Sequence, residues 1–128
     1  MPGGDQFSSS DRLAISNAIH KAELSSRVEF SVYVGPVEGD DPRSFATRLH
    51  NSLVAPARTI VIMVDPEARV LEIVTGEWVR SRISDEEARL AALEMQSAFE
   101  AGGLVDGLTR GINMLAEHAR GPETLHSS

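Results

Sequence analysis

Arg58 to Gly76 reads RTIVIMVDPEARVLEIVTG, two β-branched apolar runs joined by Asp65-Pro66-Glu67-Ala68-Arg69, with one carboxylate, Glu72, inside the second run. Thr59 to Val64 is apolar at consecutive positions, so both faces of the strand it predicts need cover, and such a strand sits centrally in a sheet with helices above and below. Val70 to Thr75 returns antiparallel through the short turn, whose Asp and Pro favour chain reversal. Upstream, Val28, Phe30, Val32 and Val34 alternate with Glu29, Ser31 and Tyr33, the pattern of a strand with one packed face, and Gly35-Pro36 ends it.

Helical periodicity fills the rest. DRLAISNAIHKAELSS, opening at Ser10 or Asp11, places Leu13, Ile15, Ala18, Ile19 and Ala22 at helical spacing. Asp41-Pro42 starts a second helix with Phe45, Leu49 and Leu53 as its inner stripe. It lies between the first two strands, so strand, helix and strand form a right-handed βαβ unit. A third helix opens at Ser84, with Glu87 completing a capping box and Asp85 and Glu86 at the positive end of the dipole. Ala88, Ala91, Ala92, Met95 and Phe99 form its inner face, and Gly102-Gly103 stops it. The fourth, Leu104 to Ala119, carries Leu108, Ile112, Leu115 and Ala119 on one side. The expected architecture is α/β: a small mixed sheet of three strands, or four if a short edge piece pairs, sandwiched by four helices in the order α-β-α-β-β-α-α. Helices one and four, or two and three, would pack on opposite faces. This single domain spans residues 10–120, between a flexible arm (1–9) and a flexible tail (121–128).

At 128 residues the chain can bury one core. A net charge of -7 and a pI near 5.0 argue against nucleic acid and anionic membranes as partners, since both require clustered cations. Eleven of the twelve basic residues are Arg, the exception being Lys21. Without cysteine there is no disulfide, thiolate metal site or thiol nucleophile. The N-terminus lacks the layout of a signal peptide, and no apolar run approaches the roughly 20 residues of a bilayer span, so the expected location is the cytoplasm.

Glu72 shares a strand face with Val70 and Val74, so its carboxylate needs a partner or a thin spot in the helix layer. It is read either as a structural ion pair with Arg58, Arg69, Arg80 or Arg82, as an acid/base or cation ligand, or as exposed. Asp65 is either a turn former or, at the carboxyl end of a central strand, a ligand-site residue. Gly76 closes the third strand, and Arg80 and Arg82 precede the helix start at Ser84, where an anion would have to compete with Asp85, Glu86 and Glu87. Gly107 and Gly111 cost about 1 kcal/mol each against Ala inside a helix. They mark either close approach to the sheet or to helix three, or bare backbone lining a binding surface. No two histidines are spaced as a metal pair on one helix, and only His50, near the rim of helix two, is a candidate. G-x-S-x-G, G-x-G-x-x-G and P-loop motifs are absent.

Several segments carry a resemblance. AIHKAELSSRVEFSVYV, with Glu23 ahead of the first strand, VLEIVTGEWVRSRISDEEA and FEAGGLVDGLTRGINML are similar to the first helix, third strand with capped helix, and closing helix of TPM domains. PARTIVIMVDPEARVLEIVTG and LAEHARGPETLH more narrowly resemble an actinobacterial group of unknown function related to them. The resemblance covers Asp11 to Ala119 and implies a TPM-like fold. It also implies three disparate roles: acid phosphatase activity, photosystem repair and receptor modulation. The wider family carries an acidic or amide residue and a glycine just before the second strand, in a loop tied to its proposed metal or active site, where this chain reads Asn51-Ser52-Leu53-Val54-Ala55-Pro56-Ala57-Arg58.

The expected function is a non-enzymatic module that binds a protein partner or small ligand, with no cofactor and no metal. Gly76, Arg82, His50, Gly107 and Gly111 are its candidate binding residues. The alternative is a weak metal-dependent acid phosphatase with Glu72 and Asp65 as catalytic or metal-binding residues, joined by Asp41 or Glu29. A divalent cation enters only under that alternative.

Overall fold

A computed structural model describes residues 7–120; the expected tail (121–128) and most of the expected arm lie outside them. The elements are α1 (Ser9–Ser26), β1 (Glu29–Val34), α2 (Pro42–Asn51), β2 (Thr59–Asp65), β3 (Val70–Thr75), α3 (Asp85–Glu100) and α4 (Leu104–Arg120), with 3-10 turns at Pro56–Arg58 and Val79–Ser81. The sheet has three strands in the order β1-β2-β3. β1 runs parallel to β2 with Glu29 opposite Thr59 and Val34 opposite Val64, and β3 runs antiparallel with Ile60 opposite Thr75 and Asp65 opposite Val70.

Every residue of β2 is buried, as its unbroken apolar run requires. Ile60, Ile62 and Val64 face the larger core, where Phe30, Val32, Leu71 and Ile73 join them against Ile15, Met95, Leu108, Ile112 and Leu115. Val61 and Met63 face a smaller core with Phe45, Ala46 and Val74, flanked by Tyr33, Leu49, Leu53 and Val70. The helices divide three to one, with α1, α3 and α4 on the first face and α2 alone on the second. That corrects the expected pairing of helices one and four, or two and three, on opposite faces. The reason lies in α4, which packs on both α1 and α3 and draws them to its own side. A methyl at Gly107 would run into Phe99 and Ala98, and one at Gly111 into Met95, so the two glycines let the backbone of α4 approach α3.

α1 starts earlier than its periodicity suggests. Ser8 is the cap: its Oγ accepts from Asp11 N at 3.1 Å, and Asp11 Oδ2 accepts from Ser8 N at 3.0 Å. Phe7, inside the stretch expected to be an arm, packs on the larger core. Leu13 is 60% exposed because the buried stripe runs through Ile15 and Ala22 instead. At the other end Glu23 Oε2 accepts from Phe30 N at 3.0 Å, tying α1 to the edge strand. α3 opens as its sequence predicts, with Ser84 and Glu87 in a reciprocal capping box. No described helix is long and apolar enough to cross a membrane.

Candidate functional site

β2 and the turn after it project toward the corner between α3 and α4, and a cleft of about 500 Å³ opens between them. Val64, Leu71, Phe99 and Leu104 give it apolar walls, while Asp65, Arg69, Gln96 and Glu100 supply polar groups. Each wall has a local cause. Val64 and Leu71 are opposed in the β2–β3 register. Phe99 is on the last turn of α3, and Gly102, at φ +90°, turns the chain so that Leu104 starts α4 alongside.

Asp65 is 8% exposed, and both its oxygens are engaged. Oδ1 accepts from Ala68 N at 3.1 Å, the turn-forming bond expected of it, and Oδ2 accepts from Val37 N at 3.0 Å, which pins the loop after β1. The turn closes with Arg69 N donating to Pro66 O at 3.3 Å, and it holds Arg69 at φ +59°, a left-handed conformation costly for a side chain with a Cβ. No hydrogen bond or ion pair of the Arg69 guanidinium exists among the described residues.

Glu72 does not line this cleft. It stands opposite Met63 on the α2 face, 27% exposed, with Oε1 3.2 Å from Arg43 Nη1. The expected partners Arg58, Arg69, Arg80 and Arg82 are thereby corrected: strand alternation aims the carboxylate at α2, whose first turn carries Arg43. The same Nη1 donates to Ile73 O at 2.7 Å. Asp65 and Glu72 are thus held by different partners. Asp41 caps α2 by accepting from Ser44 N and Oγ, bonds that hold its carboxyl below the usual aspartate value. Glu29 lies at the opposite end of the sheet from Asp65. Among the described residues, no group of three or more His, Asp or Glu side chains is placed to hold a metal.

His50 is 7% exposed, and its Nε2 lies 3.0 Å from Thr59 O, to which it donates, since a carbonyl can only accept. Gly76 meets backbone: a Cβ there would overlap Pro56 O and Ala57 O. The Pro56–Arg58 turn therefore packs directly on the end of β3. Arg82 Nε donates to Ala119 O at 3.0 Å near the end of α4. Gly107 and Gly111 are buried against α3. The structure brings none of these five into the cleft. Sequence reasoning passed over Arg69, Gln96, Phe99, Glu100 and Leu104 as site residues. The one local signal was Arg69, the closing residue of a tight turn.

The fold defines a class of small domains with a three-stranded mixed sheet and four helices, also seen in two bacterial proteins solved by NMR. One is the BA42 protein of Bizionia argentinensis (TM-score 0.81, 20% identity, 88% of this chain and 81% of that one). The other is the N-terminal domain of cg2496 from Corynebacterium glutamicum (TM-score 0.73, 20% identity, 88% and 74%). Within that class the chain belongs to DUF5130, a family described as a domain of unknown function, whose profile matches residues 2–116. It is 31% identical over 110 residues to the uncharacterized protein Rv2468c of Mycobacterium tuberculosis, a match covering 86% of this chain. The chain spans 65% of the length of the curated relatives it matches.

Proposed function

We propose that this chain is a TPM-like, non-enzymatic binding domain that takes a small amphipathic acid in the cleft beside the β2–β3 turn. The TPM relation is supported by the quoted segments and by the element order. The observation that carries the ligand reading is the cleft itself. It opens at the carboxyl end of β2, where ligands bind in open α/β sheets, and its size falls within the usual range for small-molecule sites. Val64, Leu71, Phe99 and Leu104 would receive an apolar body, and the Arg69 guanidinium, which has no partner among the described residues, a carboxylate, since charge-assisted bonds to Arg favour that head group. The phosphatase alternative is less favoured, because Asp65 and Glu72 each have their own partners and do not face a common reacting centre.

Ligand-detected NMR with octanoate, octylamine and octanol tests the proposal. Octanoate should bind saturably and the other two more weakly. Arg69→Gly removes the guanidinium at a φ that glycine accepts freely, so octanoate affinity should fall about tenfold while the melting temperature holds or rises. Octanoate binding that is absent, or unchanged in Arg69→Gly, would sink the proposal. Hydrolysis of an aryl phosphate with added magnesium, lost in Glu72→Gln, would instead establish the enzymatic reading.

A further inference from the structure

The end of the sheet away from the cleft gathers cations. β2 begins there and β3 ends there, with Ile60 opposite Thr75, and Trp78 N donates to Ala57 O at 2.9 Å. The chain crossing brings Arg58, Trp78, Arg80 and Arg82 to one region. The Arg58 guanidinium carbon lies 3.9 Å from the centroid of the Trp78 ring and that of Arg82 lies 5.3 Å from it. Arg80 Nη1 donates to Thr75 O at 2.6 Å, Arg82 Nε to Ala119 O at 3.0 Å and Arg58 Nη2 to Arg27 O at 3.4 Å. All three arginines are exposed.

Among the described residues these guanidiniums have no counterion. The ion pairs among the described residues engage Arg43, Arg110, Arg120 and His118, and none involves Arg58, Arg80 or Arg82. In a chain with 19 acidic and 12 basic residues, three neighbouring arginines would be expected to find carboxylates. Like charges held together repel. The indole face and the three backbone carbonyls offset part of that repulsion and hold the forks in place. Each fork keeps N–H donors without a protein acceptor among the described residues.

We propose that this tryptophan-backed arginine cluster is a docking surface for an acidic segment of a partner protein. The charge is complementary, and a guanidinium anchored in advance loses little freedom when it takes a carboxylate bidentately. The forks are carried by different pieces of chain: the Pro56–Arg58 turn, the Val79–Ser81 turn and the residue that follows it. Successive carboxylates of one extended segment can satisfy such a spread set one by one. A nucleic acid would need a longer basic stripe to release its counterions than these three arginines provide. This surface is independent of the cleft, which lies at the other end of the strands.

The test is titration of the whole chain with a hexaglutamate peptide, followed by calorimetry and by fluorescence of Trp78, the chain's only tryptophan. Binding should be saturable, should weaken as salt is added and should be missing for hexaglutamine. The double variant Arg58→Gln, Arg80→Gln should lose about tenfold or more in affinity. Arg110→Gln, whose guanidinium is already paired with Glu94 and Asp106, should bind as the parent does. Should the double variant fail to fold, Arg80→Gln alone, which removes one bond to Thr75 O, should still weaken binding several-fold. No saturable binding at low salt, parental affinity in the Arg58→Gln, Arg80→Gln double variant or in Arg80→Gln, or equal competition by inorganic phosphate or an oligothymidylate would overturn the proposal.

Discussion

Replacing Gly76 by alanine isolates one contact on which the end of the sheet depends. The new methyl would overlap Pro56 O and Ala57 O, which are backbone atoms and cannot rotate away. Relief requires the Pro56–Arg58 turn to separate from the end of β3. Two hydrogen bonds lie across that junction, Gly76 N to Thr59 O at 3.0 Å and Trp78 N to Ala57 O at 2.9 Å. Each is worth about 1 kcal/mol net, and overpacking adds roughly 1–3 kcal/mol. The lower chain entropy of unfolded alanine returns about 0.4–1 kcal/mol. The expected loss is therefore about 2–5 kcal/mol, a large share of the roughly 5–15 kcal/mol that holds a small domain folded. Urea unfolding read by Trp78 fluorescence and by far-ultraviolet circular dichroism measures it. Coincident transitions would show global rather than local loss. A loss under about 1 kcal/mol, with the two probes coincident, would refute the steric argument.

Two further outcomes follow from the α2 face. Glu72→Gln should cost no more than about 1 kcal/mol, because its partner Arg43 is more than half exposed, and a double-mutant cycle with Arg43→Gln should give a coupling of that order or less; a coupling well above it would mean that Glu72 has a role beyond this pair. Tyr33, the chain's only tyrosine, has its phenol pKa raised above 10.0, first by burial and then by the carboxylates of Glu38 and Asp65. The folded state therefore holds that proton more tightly than the unfolded state, so Tyr33 leaves stability intact below the unfolded value and lowers it as pH rises from there through the raised folded value. Ultraviolet absorbance titration should place the midpoint above 10.0 and Glu38→Gln should move it back toward that value, whereas a midpoint at or below 10.0 contradicts the assignment.

Local and long-range contacts differ in how readable they were from the chain. Asp65 was legible as a turn residue, because an Asx bond to a nearby backbone N–H is a local event, but its second bond, to Val37 N, joins residues 28 apart in sequence. Glu72 was legible as a carboxylate needing a partner. Arg43, 29 residues away, was not nameable, because pairing across a sheet face depends on which helix covers it. The close approach at Gly107 and Gly111 was among the readings the helical stripe allowed. That the obstacle is Phe99 and Met95 of α3, rather than the sheet, required the packed helices.

Sequence alone determined the elements and their order, the burial of β2 on both faces and the capped start of α3, because periodicity, turn residues and capping boxes act within a few residues. Tertiary structure decided what joins distant segments: three helices on one face and one on the other, the Arg43–Glu72 pair, Gly76 against Pro56, and the cleft between a hairpin turn and a helix corner. Amphipathic patterns say that a face must be buried without saying against what, and that choice is made only when all the surfaces compete for the same core.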